Sequence, residues 1–309
     1  MPKDAELESL ANAGRPEWRA RLKQIGAREG FFRRLGKEHS ALYVERGDTL
    51  IVTFENLDHV YDRGEDKMPW GYGFVEARGW SMLGMMAHGW TWYRDSDVLD
   101  FFDELRDDGF FLKFKRVIFY GASMGGYAAA AFSAASPGST VIAISPQATL
   151  SRDVAPWETR YRKAWSREFT NRYGYAPDMS QDAEKMYLFY DSTSPLDAMH
   201  AALFAGPNVR KYRCRRFGHR IASMWGRMGI LKPIILDCVD EKLTSARFYS
   251  YLRTRRENPK YQRAMLDNLR AAGRPGRVVG YCRAVLARRR APKFRQAMKD
   301  ALAELEGEA

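Results

Sequence analysis

Cysteine is scarce in this chain of 309 residues: Cys214, Cys238 and Cys282 stand far apart, with no C-x-x-C spacing. Three unclustered thiols argue against a disulfide framework or a thiolate zinc site, and they fit a reducing, cytoplasmic setting. No metal or cofactor is expected. Long hydrophobic runs are missing too, since nothing approaches the ~18 apolar residues of a membrane span. The charged stretch from Met1 to Gly30 lacks the apolar core of a secretory signal. No nucleic-acid-binding motif is present. Acidic residues are the minority, with 38 Asp+Glu against 50 Lys+Arg and a net charge of +12. Residues 241–309 hold 17 Lys+Arg against 7 Asp+Glu, so +10 of that excess belongs to the C-terminal segment. Attraction to an anionic partner would therefore arise there rather than in the nearly neutral remainder.

What is present centres on Lys115 to Ala131. Val117 to Tyr120 reads as a short buried strand, Gly121-Ala122-Ser123-Met124-Gly125 is a G-x-S-x-G turn, and an alanine-rich helix follows. A serine on so sharp a strand-to-helix turn needs glycine on either side, where a Cβ would collide. The helix behind it aims free N–H groups at the space above the serine. Strand, G-x-S-x-G turn and helix together resemble the nucleophile elbow of the α/β-hydrolase superfamily. That resemblance covers roughly residues 41–240 and implies a mostly parallel central sheet flanked by helices. It also implies an esterase-like serine acyl hydrolase, or an acyltransferase using the same groups, with serine, acid and histidine in chain order.

Other strands fall where such a sheet needs them. Ala41 to Arg46 and Thr49 to Phe54 are strand-like, with Gly47-Asp48 between them as a hairpin signal. Gly79 to Met86, Thr140 to Ile144, Lys185 to Asp191 and Asn208 to Phe217 read as further strands, and Asp95 to Arg106 as an amphipathic helix. His88 to Tyr93 is an aromatic loop suited to an acyl or sugar pocket. The aromatic-rich stretch 151–184 reads either as a cap over the serine or as a longer crossover, with the cap preferred. Ala5 to Leu35 reads as one or two surface helices, part of an N-terminal helical segment over 1–40.

The resemblance assigns Ser123 as nucleophile and His219, the one histidine on the loop after the last strand, as base. Two carboxylates compete for the acid. Asp197 is accounted for by a helix start, with Ser194 as N-cap and Pro195 at the first position. Asp191, at the tip of its strand, has no such explanation and is the preferred acid, with Asp197 the alternative. The Met124 N–H would supply one oxyanion donor and Asn56 the second by position, for no H-G-G-G motif occurs. The expected substrate is a small-molecule, glycan or lipid acyl compound.

Residues 241–309 form a separate basic appendage. Pro259 to Leu269 is echoed by Pro292 to Leu302 at an offset of 33 residues, and the helices expected before each also correspond. Two helix pairs at this period resemble a short tetratricopeptide-like repeat. Two pairs are too few to stand alone, so packing on the preceding body is expected. The alternative to an enzyme is a hydrolase-like scaffold that carries these repeats as an interaction module.

Overall fold

Six strands of the sheet run parallel, and most are buried on both faces, which is why they read as continuous apolar runs rather than alternating ones. The computed structural model describes residues 14–56, 68 and 71–307. Its elements begin with α1 (Arg15–Glu29), β1 (Gly30–Leu35), β2 (His39–Val44), β3 (Thr49–Asn56), α2 (Tyr72–Ala77) and β4 (Ser81–Ala87). Next come α3 (Ser96–Asp107), β5 (Arg116–Ala122), α4 (Met124–Phe132), β6 (Thr140–Ile144), α5 (Ala176–Met179) and β7 (Lys185–Tyr190). The chain continues through α6 (Pro195–Leu203), β8 (Val209–Arg213), α7 (Ile221–Arg227) and α8 (Leu231–Val239). It ends in α9 (Ser245–Leu252), α10 (Pro259–Ala271), α11 (Pro275–Leu286) and α12 (Pro292–Gly307).

The strand order is β1-β2-β4-β3-β5-β6-β7-β8, with β2 antiparallel to both of its neighbours. After β3 the chain crosses to β4 on one side, then to β5 on the other, so the order reverses between β3 and β5. In open α/β sheets ligands bind at such a switch point, beyond the carboxyl ends of the strands. The G-x-S-x-G turn stands there.

Each face of the sheet carries its own core. Leu50, Val52 and Phe54 of β3 point to one, where Phe54, Phe102 and Phe132 stack. Ile51 points to the other, shared with Trp18, Phe189, Trp225 and Phe248. Ala128 to Ala131 of α4 are fully buried, and small side chains let that helix lie close to the sheet. Glycine is obligatory at its start, because a Cβ on Gly125 would stand 2.2 Å from the Phe54 carbonyl oxygen.

Two expectations for the N-terminal part are corrected. Residues 5–13 of the expected helix lie outside the described residues, and α1 opens with Pro16 in its first turn. Trp18, Leu22 and Ile25 of α1 are buried against the sheet, so the helix is not a surface element. Gly30–Leu35 is a strand, because Phe31 and Phe32 pair across to Tyr43 and Leu42. Nor do β2 and β3 form a hairpin: they flank β4, one antiparallel and one parallel. Gly47 serves a close approach instead, since its Cβ would stand 2.3 Å from the Gly79 carbonyl oxygen.

The C-terminal helices divide between two cores. Phe248 of α9 is fully buried against Phe189, Tyr212 and Trp225. Tyr261 of α10 lies against Phe217, whereas α11 and α12 join part of α10 in a smaller core around Val278, Cys282, Phe294 and Ala297. Asn258 caps α10 through hydrogen bonds from Lys260 N (3.0 Å) and Tyr261 N (3.1 Å).

Candidate active site

Ser123 adopts φ 55° and ψ −120°, a conformation that L residues avoid. The turn is held on both flanks. The Ser123 N–H donates to the Ile144 carbonyl (2.8 Å), and a Cβ on Gly121 would stand 2.1 Å from the Gly125 carbonyl oxygen. Strain of this kind persists only where the surroundings over-determine it, and here it lifts the hydroxyl above the sheet edge. Met124 opens α4, so its N–H has no acceptor within the helix.

The Ser123 Oγ lies 2.7 Å from His219 Nε2, and His219 Nδ1 lies 2.9 Å from Asp197 Oδ1. The carboxylate that meets the histidine is thus Asp197 and not Asp191. Ser194 and Pro195 open α6 as expected, but the Ser194 side chain makes no cap hydrogen bond, and the helix start alone does not account for Asp197. Asp197, third residue of α6, turns into the sheet edge, and its negative charge suits the first turn of a helix. Burial pushes its carboxyl up, but hydrogen bonds from His219 and Arg160 outweigh that and hold it below its ordinary value.

Asp191 is equally buried and organises the loop that carries His219. Its Oδ1 accepts from Thr193 N (2.8 Å), Thr193 Oγ1 (2.7 Å) and Arg216 N (3.0 Å), while Oδ2 accepts from Gly218 N (2.7 Å). Arg216 and Gly218 both have φ of 65°, so the carboxylate clamps a turn that would otherwise relax. Asn56 ends β3, and its side-chain amide donates to the Gly89 carbonyl (3.1 Å), tying the aromatic loop to the sheet. Residues 57–67, which follow β3, lie outside the described residues.

Four side chains at the site went unassigned in the sequence. Tyr161 brings its hydroxyl to 3.0 Å from His219 Nε2, the nitrogen that the Ser123 hydroxyl also meets. Arg160 donates to Asp197 Oδ1 (2.7 Å) and, through Nε and Nη2, to the Glu158 carboxylate. Glu158 is fully buried. Burial pushes its carboxyl up, but bonds from His200 and Arg160 prevail and bring it down to about 2. His200 accepts the Ala148 N–H at Nδ1 (3.1 Å), so its Nε2 carries the proton and donates to Glu158 (3.0 Å). Asp197 and His200 stand three apart on α6, a helical spacing that puts both on one face and could have signalled the pair.

Residues 158–161 therefore bring an ion-paired edge over the serine, within the stretch read as a cap. Apart from a turn of 3₁₀ helix at Arg162–Ala164 and the short α5, that stretch is loop and bends. Trp92 packs on Tyr161 with ring centres 4.8 Å apart, and Trp90 stacks near it at 6.3 Å with an interplanar angle of 25°. Trp90 is 56% exposed, so much of its indole opens to solvent beside Tyr161. Trp92 is anchored by its Nε1–H to Gln147 Oε1 (3.0 Å).

A sheet of this order, with a strained serine between β5 and the helix behind it, is an α/β-hydrolase fold. No family model matches the chain, and no curated protein does either. Among solved structures it is similar to the capsule O-acetyltransferase of Neisseria meningitidis serogroup A, at 13% identity and a TM-score of 0.41, covering 64% of this chain and 93% of that one. It is also similar to an esterase of Pyrobaculum calidifontis, at 13% identity, coverages of 76% and 95%, and a TM-score of 0.43. Mouse alpha/beta hydrolase domain-containing protein 10 matches at 14% identity, coverages of 68% and 98%, and a TM-score of 0.43.

Proposed function

We propose that this protein is a serine-dependent acyl hydrolase that works through an acyl-enzyme on Ser123. The observation that carries the reading is the continuous chain Ser123–His219–Asp197, at 2.7 and 2.9 Å. A serine hydroxyl is a weak nucleophile until a base takes its proton, and imidazole suits that task near neutral pH. Asp197 keeps the proton on Nδ1, which leaves Nε2 free to accept from Ser123 and supports the imidazolium that follows. As the Ser123 Oγ bonds to the acyl carbon, the carbonyl electron pair moves onto oxygen, to which the Met124 N–H, first of its helix, would donate. The imidazolium then protonates the departing alkoxide, and water repeats the sequence to release the acid.

Residues 151–184 act as a cap in this reading, with Arg160 and Tyr161 at the rim. The open face of Trp90 favours a second outcome, transfer of the acyl group to an alcohol borne on a ring with a flat apolar side. A purely scaffolding role has less support, because nucleophile, base and acid are all in contact. We further propose that the helices of 241–309 are tetratricopeptide-like pairs, a reading supported by the 33-residue offset and by helices that open at both Pro259 and Pro292. The test is turnover of p-nitrophenyl acetate by the full chain. Ser123→Ala and His219→Ala are expected to lose activity to similar, non-additive extents. Turnover that survives in Ser123→Ala would refute the proposal.

A further inference from the structure

Two hydroxyls converge on one imidazole nitrogen. His219 Nδ1 carries the proton, because Asp197 at 2.9 Å can only accept, and the Arg160 Nη1 nearby donates to that same carboxylate oxygen at 2.7 Å rather than to the ring at 3.5 Å. Nε2 therefore offers a single lone pair. Ser123 Oγ reaches it at 2.7 Å and Tyr161 Oη at 3.0 Å. One lone pair accepts one strong hydrogen bond, and the shorter contact gives it to Ser123. The Tyr161 hydroxyl, at the longer contact, keeps its proton for an oxygen arriving beside that nitrogen.

We infer that Tyr161 is a catalytic residue that hydrogen-bonds the oxygen entering or leaving on the His219 side of the acyl carbon. The inference rests on the acyl-enzyme reading above. The Met124 N–H and the Tyr161 hydroxyl approach from different elements: the first, on α4, addresses the carbonyl oxygen. The second, on the cap segment, stands beside the nitrogen that exchanges protons with serine, alkoxide and water. Before attack the Tyr161 hydroxyl stands beside Nε2 while the Ser123 Oγ takes the lone pair. Once that oxygen is acylated, the same hydroxyl can hold the incoming water or alcohol while His219 takes its proton. Tyr161 keeps its own proton throughout, so each step balances with the transfers already described. Burial raises its phenol above the ordinary value despite the opposing charge of Arg160, and a protonated phenol remains a donor at neutral pH. The ring is fixed by Trp92 on one side and by the Arg160 guanidinium 5.2 Å from its centre.

Tyr161→Phe keeps this packing and removes only the hydroxyl. Two rates separate its role from that of the serine. Labelling by a fluorophosphonate probe reads attack by Ser123 and needs no second nucleophile, whereas steady-state turnover of p-nitrophenyl acetate also needs deacylation. Loss of a hydrogen bond to a group developing charge is expected to lower turnover by about 10- to 100-fold more than it lowers labelling. Acetyl-enzyme should then accumulate in the intact mass spectrum. Equal losses in the two rates, or no loss in either, would overturn the role given to Tyr161. Failure of the wild-type chain to label would instead remove the acyl-enzyme reading itself, so the two failures are distinct.

Discussion

Two aspartates at the sheet edge hold different jobs, and contact geometry separates them where position in the sequence did not. Asp191 stands at the tip of β7, where carboxylates of open α/β sheets gather, and elimination favoured it as the acid. The elimination failed because a place in the first turn of α6 does not occupy the Asp197 carboxylate: Ser194 and Pro195 open the helix as expected, and Asp197 still meets His219. Asp197→Asn should cost on the order of 10⁴-fold in turnover, because the amide no longer holds the proton on Nδ1. Asp191→Asn should act mainly on the fold. It accepts four hydrogen bonds that shape the turn at Arg216–Gly218, and its loss should lower stability by about 1–3 kcal/mol with a smaller effect on rate. Turnover and urea midpoints measured on both variants check this, and the reverse pattern would return the acid's role to Asp191. The contact of Ser123 with His219 was legible because local motifs name both residues. Glu158, Arg160 and Tyr161 were not, since nothing within a loop announces the long-range contacts it makes.

At the scale of elements, the strand–turn–helix unit depends on backbones approaching within contact distance. Gly125→Ala would drive a methyl group into the Phe54 carbonyl oxygen at 2.2 Å, where no flexible side chain can yield. Separation of α4 from β3 should cost at least about 3 kcal/mol, within the range of severe overpacking, and most of the protein should be found in the insoluble fraction. A soluble variant with an unchanged melting temperature would contradict the close approach. The parallel strands were readable from their apolar runs, and β6 begins and ends where its sequence pattern does, Thr140–Ile144. Pairing was less readable. Gly47-Asp48 looks like a hairpin turn because turn residues carry local information, whereas the partner of β2 is β4, whose strand begins more than 30 residues further on. The strand character of Gly30–Leu35 was hidden beside a true helix that ends one residue earlier.

For the whole molecule, the C-terminal helices are unequal. Ending the chain at Val239 would remove Phe248, fully buried against Trp225 and the edge of the sheet, and should cost about 3–5 kcal/mol from that side chain alone. Ending it after Gly273 removes α11 and α12, whose core is mostly their own, and should leave the melting temperature of the body closer to that of the intact chain. Comparison of the two truncations by thermal melting checks this, with equal losses contradicting the division into two cores. The basic charge of 241–309 was plain in the composition. Its division between two cores was not, because both sets of helices share the same amphipathic pattern.

The claim on which the account turns is that Ser123 is a nucleophile activated by His219. Fluorophosphonate labelling of the full chain, with the modified residue located by peptide mass spectrometry, tests it most directly. The account predicts a single adduct on the peptide carrying Ser123, slowed by orders of magnitude in His219→Ala and absent in Ser123→Ala. An adduct on another residue, or equally fast labelling of Ser123→Ala, would contradict it.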